Sequence, residues 1–150
     1  MRILPTKHVS HLKEALEIAK SLPEYFTKEA INNMERDFNQ NSLIIAEDEI
    51  IEGFLCFGLR KNRYEILWMG VKRKSQSKGI GEELLNFLIK YLKDKGVKDL
   101  YVKTLTPDDP YEPYKRTRRF YEKMGFQELY TEKAKKEGWD DQVVMRLEIK

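Results

Sequence analysis

A cationic, glycine-containing stretch in the middle of the chain has the composition of an anion-binding loop. Residues 72–81 run KRKSQSKGIG. Because glycine lacks a Cβ, Gly79 and Gly81 would let a ligand lie against the backbone. If a helix begins here, the unpaired N–H groups of its first turn point outward and bind anions, phosphate above all. The lysines and the arginine of the stretch add positive charge that would attract a polyanion.

The residues that follow predict such a helix. Its apolar positions fall on one helical face: Ile80, Leu84, Leu85, Leu88, Ile89 and Leu92. Gly96 suits the C-terminal cap of this helix. Strand-like sequence precedes the loop at residues 64–71 and follows the helix at residues 100–105. A strand, a helix and a strand of these lengths imply a parallel pair joined by a right-handed crossover.

The N-terminal part predicts a short strand and two helices. We expect a strand at residues 2–4 that Pro5 ends, since proline cannot donate to a sheet ladder. The first helix is expected to begin at Ser10, as its N-cap, and to stop before Pro23. Thr27 can cap the second helix.

The remaining strands predict a mixed sheet. An antiparallel meander is expected at residues 42–46, 50–60 and 64–71, with Gly53 marking a bulge or a close backbone approach. A loop at 106–113, a helix at 114–124 and closing strands at 126–131 and 143–149 follow. We therefore expect one α/β domain over residues 1–150, with a mixed, mostly antiparallel twisted sheet of six or seven strands flanked by about four helices.

Composition narrows the function classes. The chain has 150 residues, 41% hydrophobic and 35% charged, which is typical of a globular protein. A net charge of +3, with 25 acidic residues among 28 basic ones, gives little support to nucleic-acid binding. The single cysteine, Cys56, suits a buried small hydrophobe in a reducing cytoplasm. His8 and His11 have no further metal-ligand partners in view, and no segment is typical of a signal peptide or a membrane span.

The loop and three other stretches carry a resemblance to a known family. Residues 76–81 (QSKGIG) resemble the Q/R-x-x-G-x-G/A signature of the GNAT superfamily of acetyl-CoA-dependent N-acetyltransferases. Residues 65–71 are similar to the family's strand before the loop, residues 120–126 to its penultimate helix and turn, and residues 51–55 to its third strand. The order of elements agrees over the whole chain. A Rossmann domain fits poorly, because its glycine motif should follow the first strand.

The resemblance implies a cofactor site. The pyrophosphate of acetyl-CoA would lie in the loop formed by Gln76, Ser77, Lys78, Gly79, Ile80 and Gly81. The pantetheine arm would bond to the strand edge formed by Met69, Gly70 and Val71, much as a peptide adds to a sheet. Tyr114 stands where many members have an asparagine, seven residues before the helix tyrosine, and we expect the cofactor contact of that position from it.

The resemblance also implies catalytic residues. Tyr121 would be the general acid that protonates the departing thiolate; the alternative is an aromatic ring packed beside Phe120. Glu65 would be the general base, since an ammonium of pKa ~10.4 must lose a proton before it attacks. Strand alternation places Glu65 on the face of Leu67 and Met69 unless a bulge intervenes. A solvent-facing Glu65 is the alternative, with Asp108, Asp109 or no side chain as the base.

The acceptor is implied only in outline. By resemblance its site lies between the turn at residues 23–26 and the loop at 106–114, whose notable side chains are Asp108, Asp109, Tyr111, Glu112 and Tyr114. Carboxylates beside aromatic rings suit a cationic amine, although loop and packing roles explain them equally well. A small-molecule amine, a polyamine, a peptide N-terminus and a lysine side chain all stay open, as does a homodimer. The other hypotheses are a non-catalytic acyl-CoA-binding regulatory module and an RNA-associated protein; no metal is expected.

Overall fold

The computed structural model describes residues 1–107 and 109–150. Within them the chain forms seven strands, four α-helices and one 3₁₀ turn. In chain order these are β1 (Arg2–Thr6), α1 (Val9–Lys20), α2 (Lys28–Gln40), β2 (Ser42–Asp48), β3 (Ile50–Arg60), β4 (Arg63–Val71), the 3₁₀ turn (Arg73–Ser75), α3 (Ile80–Asp94), β5 (Asp99–Leu105), α4 (Glu112–Lys123), β6 (Gln127–Glu132) and β7 (Gln142–Glu148). The predicted α/β class and strand number are confirmed.

The strands form one mixed sheet in the order β1-β2-β3-β4-β5-β7-β6. The pairing is antiparallel except between β4 and β5, which are parallel and joined by α3. Apolar residues of α3 and α4 bury one face of the sheet, and those of α1 and α2 bury the other. No helix among the described residues has the length and apolar character needed to cross a membrane.

The two parallel strands separate after three residues. Residues 64–66 of β4 pair with residues 100–102 of β5, and beyond Ile66 the pairing ends although β4 continues to Val71. The edge of β4 facing β5 is therefore unpaired over its last five residues. Because both strands run the same way, the gap opens at their carboxyl ends, next to the start of α3.

A bulge lies in β4 at the start of this gap. Cys56 pairs with Trp68 and Phe57 with Ile66, so Leu67 is the extra residue. Leu67 and Trp68 both pack toward α1 and α2, whereas Met69 packs toward α3. The bulge that the prediction allowed for is thus present, and Glu65 and Met69 do not share a face, because an inserted residue reverses the alternation of side chains beyond it.

Two element boundaries at the N-terminus differ from the prediction. Pro5 lies inside β1 opposite Ile44, which an outermost strand tolerates because one of its edges needs no hydrogen bond. Helix α1 begins at Val9, and neither Ser10 nor the N-cap residue His8 supplies a side-chain cap. The cap predicted for α2 is confirmed, since the Thr27 hydroxyl accepts a hydrogen bond from the Ala30 N–H at 3.1 Å.

Candidate functional site

Helix α3 begins in the predicted loop, and Gly79 makes the turn into it. Gly79 is the N-cap residue with φ +83°, and Ser77 also has a positive φ of 64°. A Cβ added at Gly79 would meet nothing within 4 Å. The space in front of the helix is open, and the N–H groups of the first turn face it. This is the geometry of an anion site at a helix N-terminus.

Gly81 has a different role from Gly79. A Cβ at Gly81 would lie 3.1 Å from the Met69 Cε and 3.5 Å from the Phe120 ring. It therefore lets α3 approach β4 and α4 closely. Gly53 does the same from β3, where a Cβ would lie 3.1 Å from the Gly70 carbonyl oxygen and 3.2 Å from Ile80. The close backbone approach predicted at Gly53 is confirmed.

A first cavity of about 370 Å³ lies between this loop, the end of β4 and α4. The predicted cofactor residues that line it are Met69, Gly70, Val71, Gln76, Ser77, Gly79, Ile80 and Gly81. Lys78 is exposed and lies outside this lining. The Gln76 side chain donates a hydrogen bond to the Val71 carbonyl at 3.0 Å, so it fastens the loop to β4.

Glu52 also fastens the loop, and sequence reasoning missed it. Its carboxylate accepts a 2.6 Å hydrogen bond from the Ser75 hydroxyl and lies 3.5 Å from the Lys72 ammonium. The hydrogen bond from Ser75 is the main cause that holds the pKa of Glu52 below its usual value. The Glu52 carbonyl also accepts from the Lys72 N–H at 2.9 Å. A carboxylate thus holds the start of a cationic loop.

A second cavity of about 420 Å³ opens on the α2 side of the gap between β4 and β5. Glu65 lines it and is only 7% exposed. Among the described residues its carboxyl has no hydrogen-bond or ion-pair partner. Burial raises its pKa, and the positive charges of Lys103, Arg63 and Arg60 oppose that rise. Glu65 is thus a buried carboxyl directed at a cavity, not a solvent-facing residue at a strand end.

Tyr121 and Met69 line both cavities. The Tyr121 hydroxyl donates to the Met69 sulfur at 3.9 Å, and its ring packs edge-on against Phe120 and Phe126 with 5.3 Å between centroids. The residue is 5% exposed, and burial raises the pKa of its phenol well above the usual value. The hydroxyl is therefore protonated and stands where the two cavities join.

One stripe of α4, formed by Tyr114, Thr117 and Tyr121, faces the cavities, but Tyr114 lies in the second cavity and not in the first. The cofactor contact predicted for Tyr114 is therefore not supported. Seven residues, about two turns, separate it from Tyr121, which places it at the far end of the stripe from the loop. Thr117 lines both cavities. Lys123 lines the first cavity, while Arg119 pairs with Glu112 at 2.9 Å on the surface.

Two of the acidic residues predicted for the acceptor loop, Asp109 and Glu112, do not line the second cavity. Asp109 accepts a 3.0 Å hydrogen bond from the Tyr111 N–H, and Glu112 is the partner of Arg119. Asp108 lies outside the described residues. The carboxylate that joins Glu65 in the lining is Asp37 of α2, which accepts from the Trp68 indole at 2.7 Å. A lone aspartate on a helix gave no sequence signal for this role.

The turn between α1 and α2 closes the site from one side. Tyr25 and Phe26 line both cavities, as the resemblance implied for the acceptor side. Their rings belong to a set of aromatic groups around the second cavity that includes Trp68, 6.3 Å from Phe26 between centroids.

Other reactive residues are accounted for structurally. Cys56 is buried, and burial raises the pKa of its thiol to about 12, so it is not a nucleophile at neutral pH. The His11 ring bonds to the Thr6 hydroxyl at 2.6 Å. Residues 1–107 and 109–150 contain no group of three histidine, cysteine, aspartate or glutamate side chains that could hold a metal ion.

Comparison with known proteins identifies the family of the fold. Residues 39–128 match the family model described as acetyltransferase (GNAT) domain. No protein with a curated description matches the sequence. Among solved structures, an acetyltransferase assigned to the GNAT family from Desulfovibrio desulfuricans superimposes with a TM-score of 0.87 at 22% identity, over 99% of both chains.

Two further solved structures have named acceptors. An aminoglycoside 6'-N-acetyltransferase complexed with coenzyme A has a TM-score of 0.77 at 18% identity, over 100% of this chain and 98% of its own. A ribosomal-protein-alanine N-acetyltransferase from Escherichia coli has a TM-score of 0.74 at 18% identity, over 99% of this chain and 94% of its own. At such identities the likeness shows the fold.

Proposed function

Because this chain belongs to the GNAT acetyltransferase family, we propose that it transfers an acetyl group from acetyl-CoA to a primary amine by direct attack. The observation that carries this proposal is the position of Tyr121, which lines both cavities at the point where β4 and β5 separate. A donor bound in the first cavity and an acceptor bound in the second would meet at its hydroxyl.

The residues of the first cavity fit the donor. The open space before Gly79 and the N-terminus of α3 suit the pyrophosphate, and the unpaired edge of β4 offers backbone groups to an extended amide arm. Acetyl-CoA would supply an acetyl group activated as a thioester, with the CoA thiolate as the leaving group. Two contacts would hold the loop in place for the phosphates: Gln76 of the loop donates to Val71 of β4, and Glu52 of β3 accepts from Ser75 of the loop.

Glu65 would act as the general base on the acceptor side. A carboxyl with a raised pKa is a stronger base than an ordinary one, and Glu65 has no protein partner to give up among the described residues. It would take a proton from the ammonium directly or through water. Asp109, an alternative base, is engaged with the Tyr111 backbone, and Asp108 lies outside the described residues.

Tyr121 would act as the general acid. Its raised pKa keeps the proton on the phenol, but the same burial makes the transfer to a thiolate harder. Burial raises thiol pKa values too, as the value of about 12 for Cys56 in this protein shows. A sulfur departing in the same buried junction would therefore be a better proton acceptor than it is in water.

The lining of the second cavity suits an ammonium group beside apolar surface. It combines the carboxyls of Glu65 and Asp37 with the rings of Tyr25, Phe26 and Trp68. Its two cations, Arg60 and Lys103, are paired with Asp37 and Glu132. The two named relatives act on an aminoglycoside and on a ribosomal-protein alanine, so small-molecule and peptide amines both stay within the proposal. We further infer a cytoplasmic location, which suits the single buried cysteine.

A thioester-consumption assay with an amine panel tests the proposal. Release of free CoA thiol is measured with benzylamine, spermidine, free lysine and an alanine-terminated peptide, with mass spectrometry of the amine. We expect amine-dependent release and a product heavier by one acetyl group. Binding of CoA without turnover on any amine would favour the alternative, a non-catalytic acyl-CoA-binding module. Tight, salt-dependent RNA binding would instead favour an RNA-associated protein.

A further inference from the structure

One arginine of the 72–81 loop does not face the first cavity. The Arg73 guanidinium lies 2.7 and 2.6 Å from the two carboxylate oxygens of Glu24, in the turn between α1 and α2 (residues 21–27). Arg73 is absent from the lining of the first cavity. Both of its contacts are thus to the turn, and the hydrogen bond from Arg73 is the main cause that lowers the pKa of Glu24.

The same turn residue is also fastened from the other side of the site. The Tyr111 hydroxyl donates a 2.8 Å hydrogen bond to the Glu24 carbonyl. Tyr111 is the N-cap residue of α4, the helix that carries Tyr121. The Arg116 guanidinium, also on α4, lies 5.8 Å from the centre of the Tyr25 ring. Glu24 is therefore held by its side chain to the loop and by its backbone to the start of α4.

Glu24 is a neighbour in the chain of two aromatic residues of the site. It directly precedes Tyr25 and Phe26, which line both cavities. We propose that Glu24 is a positioning residue: with Arg73 and Tyr111 it holds the α1–α2 turn so that Tyr25 and Phe26 form the wall against which the acceptor amine binds. This inference rests on the proposed acetyl transfer, and it assigns Arg73 to the acceptor side, not to phosphate binding.

The charges of the loop support the assignment of Arg73 to the acceptor side. Lys72 is paired with Glu52 and Arg73 with Glu24, so two of the loop's four cations are neutralised by carboxylates. Lys74 and Lys78 have no ion-pair partner among the described residues and remain available to attract a polyanion. Because the Arg73 side chain is 60% exposed, removing it should change thermal stability little.

Three variants test the proposal: Glu24→Gln, Arg73→Gln and the double variant. Each is made in a Trp139→Phe background, so that Trp68 is the only tryptophan; Trp139 lies in the exposed hairpin between β6 and β7. Because the Phe26 ring contacts Trp68 edge-on, acrylamide quenching of Trp68 fluorescence reports a loosened turn without any acceptor. Acetyl-CoA affinity is measured by calorimetry, and amine KM and kcat with the best amine of the panel.

The two single variants should have the same effect on the acceptor side and opposite, small effects on acetyl-CoA affinity. Both single variants should increase quenching of Trp68 and lower kcat/KM for the amine about fivefold, chiefly through KM, as expected for loss of an ion pair in which one guanidinium nitrogen of Arg73 contacts both Glu24 oxygens. The double variant should show the same quenching and the same kcat/KM as either single variant, because all three variants lose the same contact. At 0.15 M salt, acetyl-CoA affinity should change by less than about threefold, rising in Glu24→Gln and falling in Arg73→Gln, since a negative and a positive charge are removed.

A matched pair far from the site serves as the control. Arg2 and Glu47 form an exposed ion pair of similar length, 2.9 Å, between β1 and β2, and Arg2→Gln should leave quenching and amine kinetics unchanged. Unchanged quenching and KM in Glu24→Gln would overturn the proposal, as would a loss of acetyl-CoA affinity above tenfold in Arg73→Gln. Failure of the proposed function looks different: turnover would be absent already in the parent protein, while the quenching result would still decide whether Glu24 holds the turn.

Discussion

The Tyr121 hydroxyl lies 3.9 Å from the sulfur of Met69, and both residues line the first cavity as well as the second. Met69 reaches this point because the bulge at Leu67 turns it toward α3, while Glu65 stays on the opposite face of the sheet. The candidate acid and base therefore approach the gap between β4 and β5 from different sides. In the proposed reaction, an acceptor that enters from the α2 side would reach Glu65 before Tyr121.

The first prediction concerns the base. Replacing Glu65 by Gln should lower kcat/KM about 100-fold or more, because general bases contribute at least that much. In the parent protein kcat/KM should fall as the pH drops through the raised pKa of Glu65, since only the ionised form accepts a proton. The variant should lack that acidic limb. A pH–rate profile that Glu65→Gln leaves unchanged would move the base elsewhere.

The second prediction follows from the same carboxyl and concerns stability. Its pKa is higher in the folded protein than in the unfolded chain, so the folded state binds the proton more tightly. Stability should therefore decrease as the pH rises from the ordinary carboxyl range through the folded pKa. Urea denaturation should find Glu65→Gln more stable than the parent at pH 7.5, with the advantage shrinking at pH 4. A variant less stable at pH 7.5 would contradict the burial cost assigned to Glu65.

The third prediction separates the two glycines of the loop. Gly79→Ala should fold with a loss of about 1 kcal/mol, from its left-handed backbone, and should weaken CoA binding. Gly96→Ala is a matched control, since Gly96 has φ +79° and equally open space at the far end of α3. It should lose similar stability and keep its CoA affinity. Equal affinities in the two variants, by calorimetry, would remove Gly79 from the phosphate site.

Gly81 cannot serve for that test. An added side chain would press on Met69 and Phe120 before it met any ligand, so Gly81→Val should lose stability first. Packing is thus sufficient to explain glycine at position 81.

The fourth prediction concerns Glu52. If charge alone mattered, Glu52→Ala should bind CoA more tightly, because it removes a negative charge near a polyanion. We expect weaker binding instead, since Ser75 and Lys72 lose the carboxylate that holds the loop. Ser75→Ala should also weaken CoA binding, but by less than Glu52→Ala. Calorimetry showing tighter binding in Glu52→Ala would mean that the contact does not organise the loop.

Much of the fold could be predicted because its signals are local. The 3.6-residue pattern of α3, the Thr27 cap and the order of strands around the loop each depend on neighbouring residues, and each is confirmed. The bulge at Leu67 could not be predicted, since nothing in its own sequence distinguishes an extra residue from a regular strand. This bulge places Glu65 and Met69 on opposite faces of the sheet. Register with a partner strand is a tertiary property.

In the candidate site, too, local features could be predicted and long-range contacts could not. The loop glycines and Tyr121 could be located from motif and spacing, whereas Glu52, Asp37 and Glu24 act through residues 23 to 49 positions away. Such contacts leave no local pattern. Tyr114 was predicted both for a cofactor contact and for the acceptor loop, and it lines the second cavity only. Spacing along α4 gives the face of a helix but not how far along the gap a residue lies.

In the proposed reaction Tyr121 transfers a proton where the donor and acceptor cavities meet, and Tyr121→Phe removes that proton donor alone. The change removes the hydroxyl and keeps the buried ring, so the fold and the donor site should persist. We predict that single-turnover acetyl transfer falls ~100-fold or more while acetyl-CoA affinity stays nearly unchanged. Wild-type single-turnover rates in the folded variant, with chemistry rate-limiting, would contradict the account.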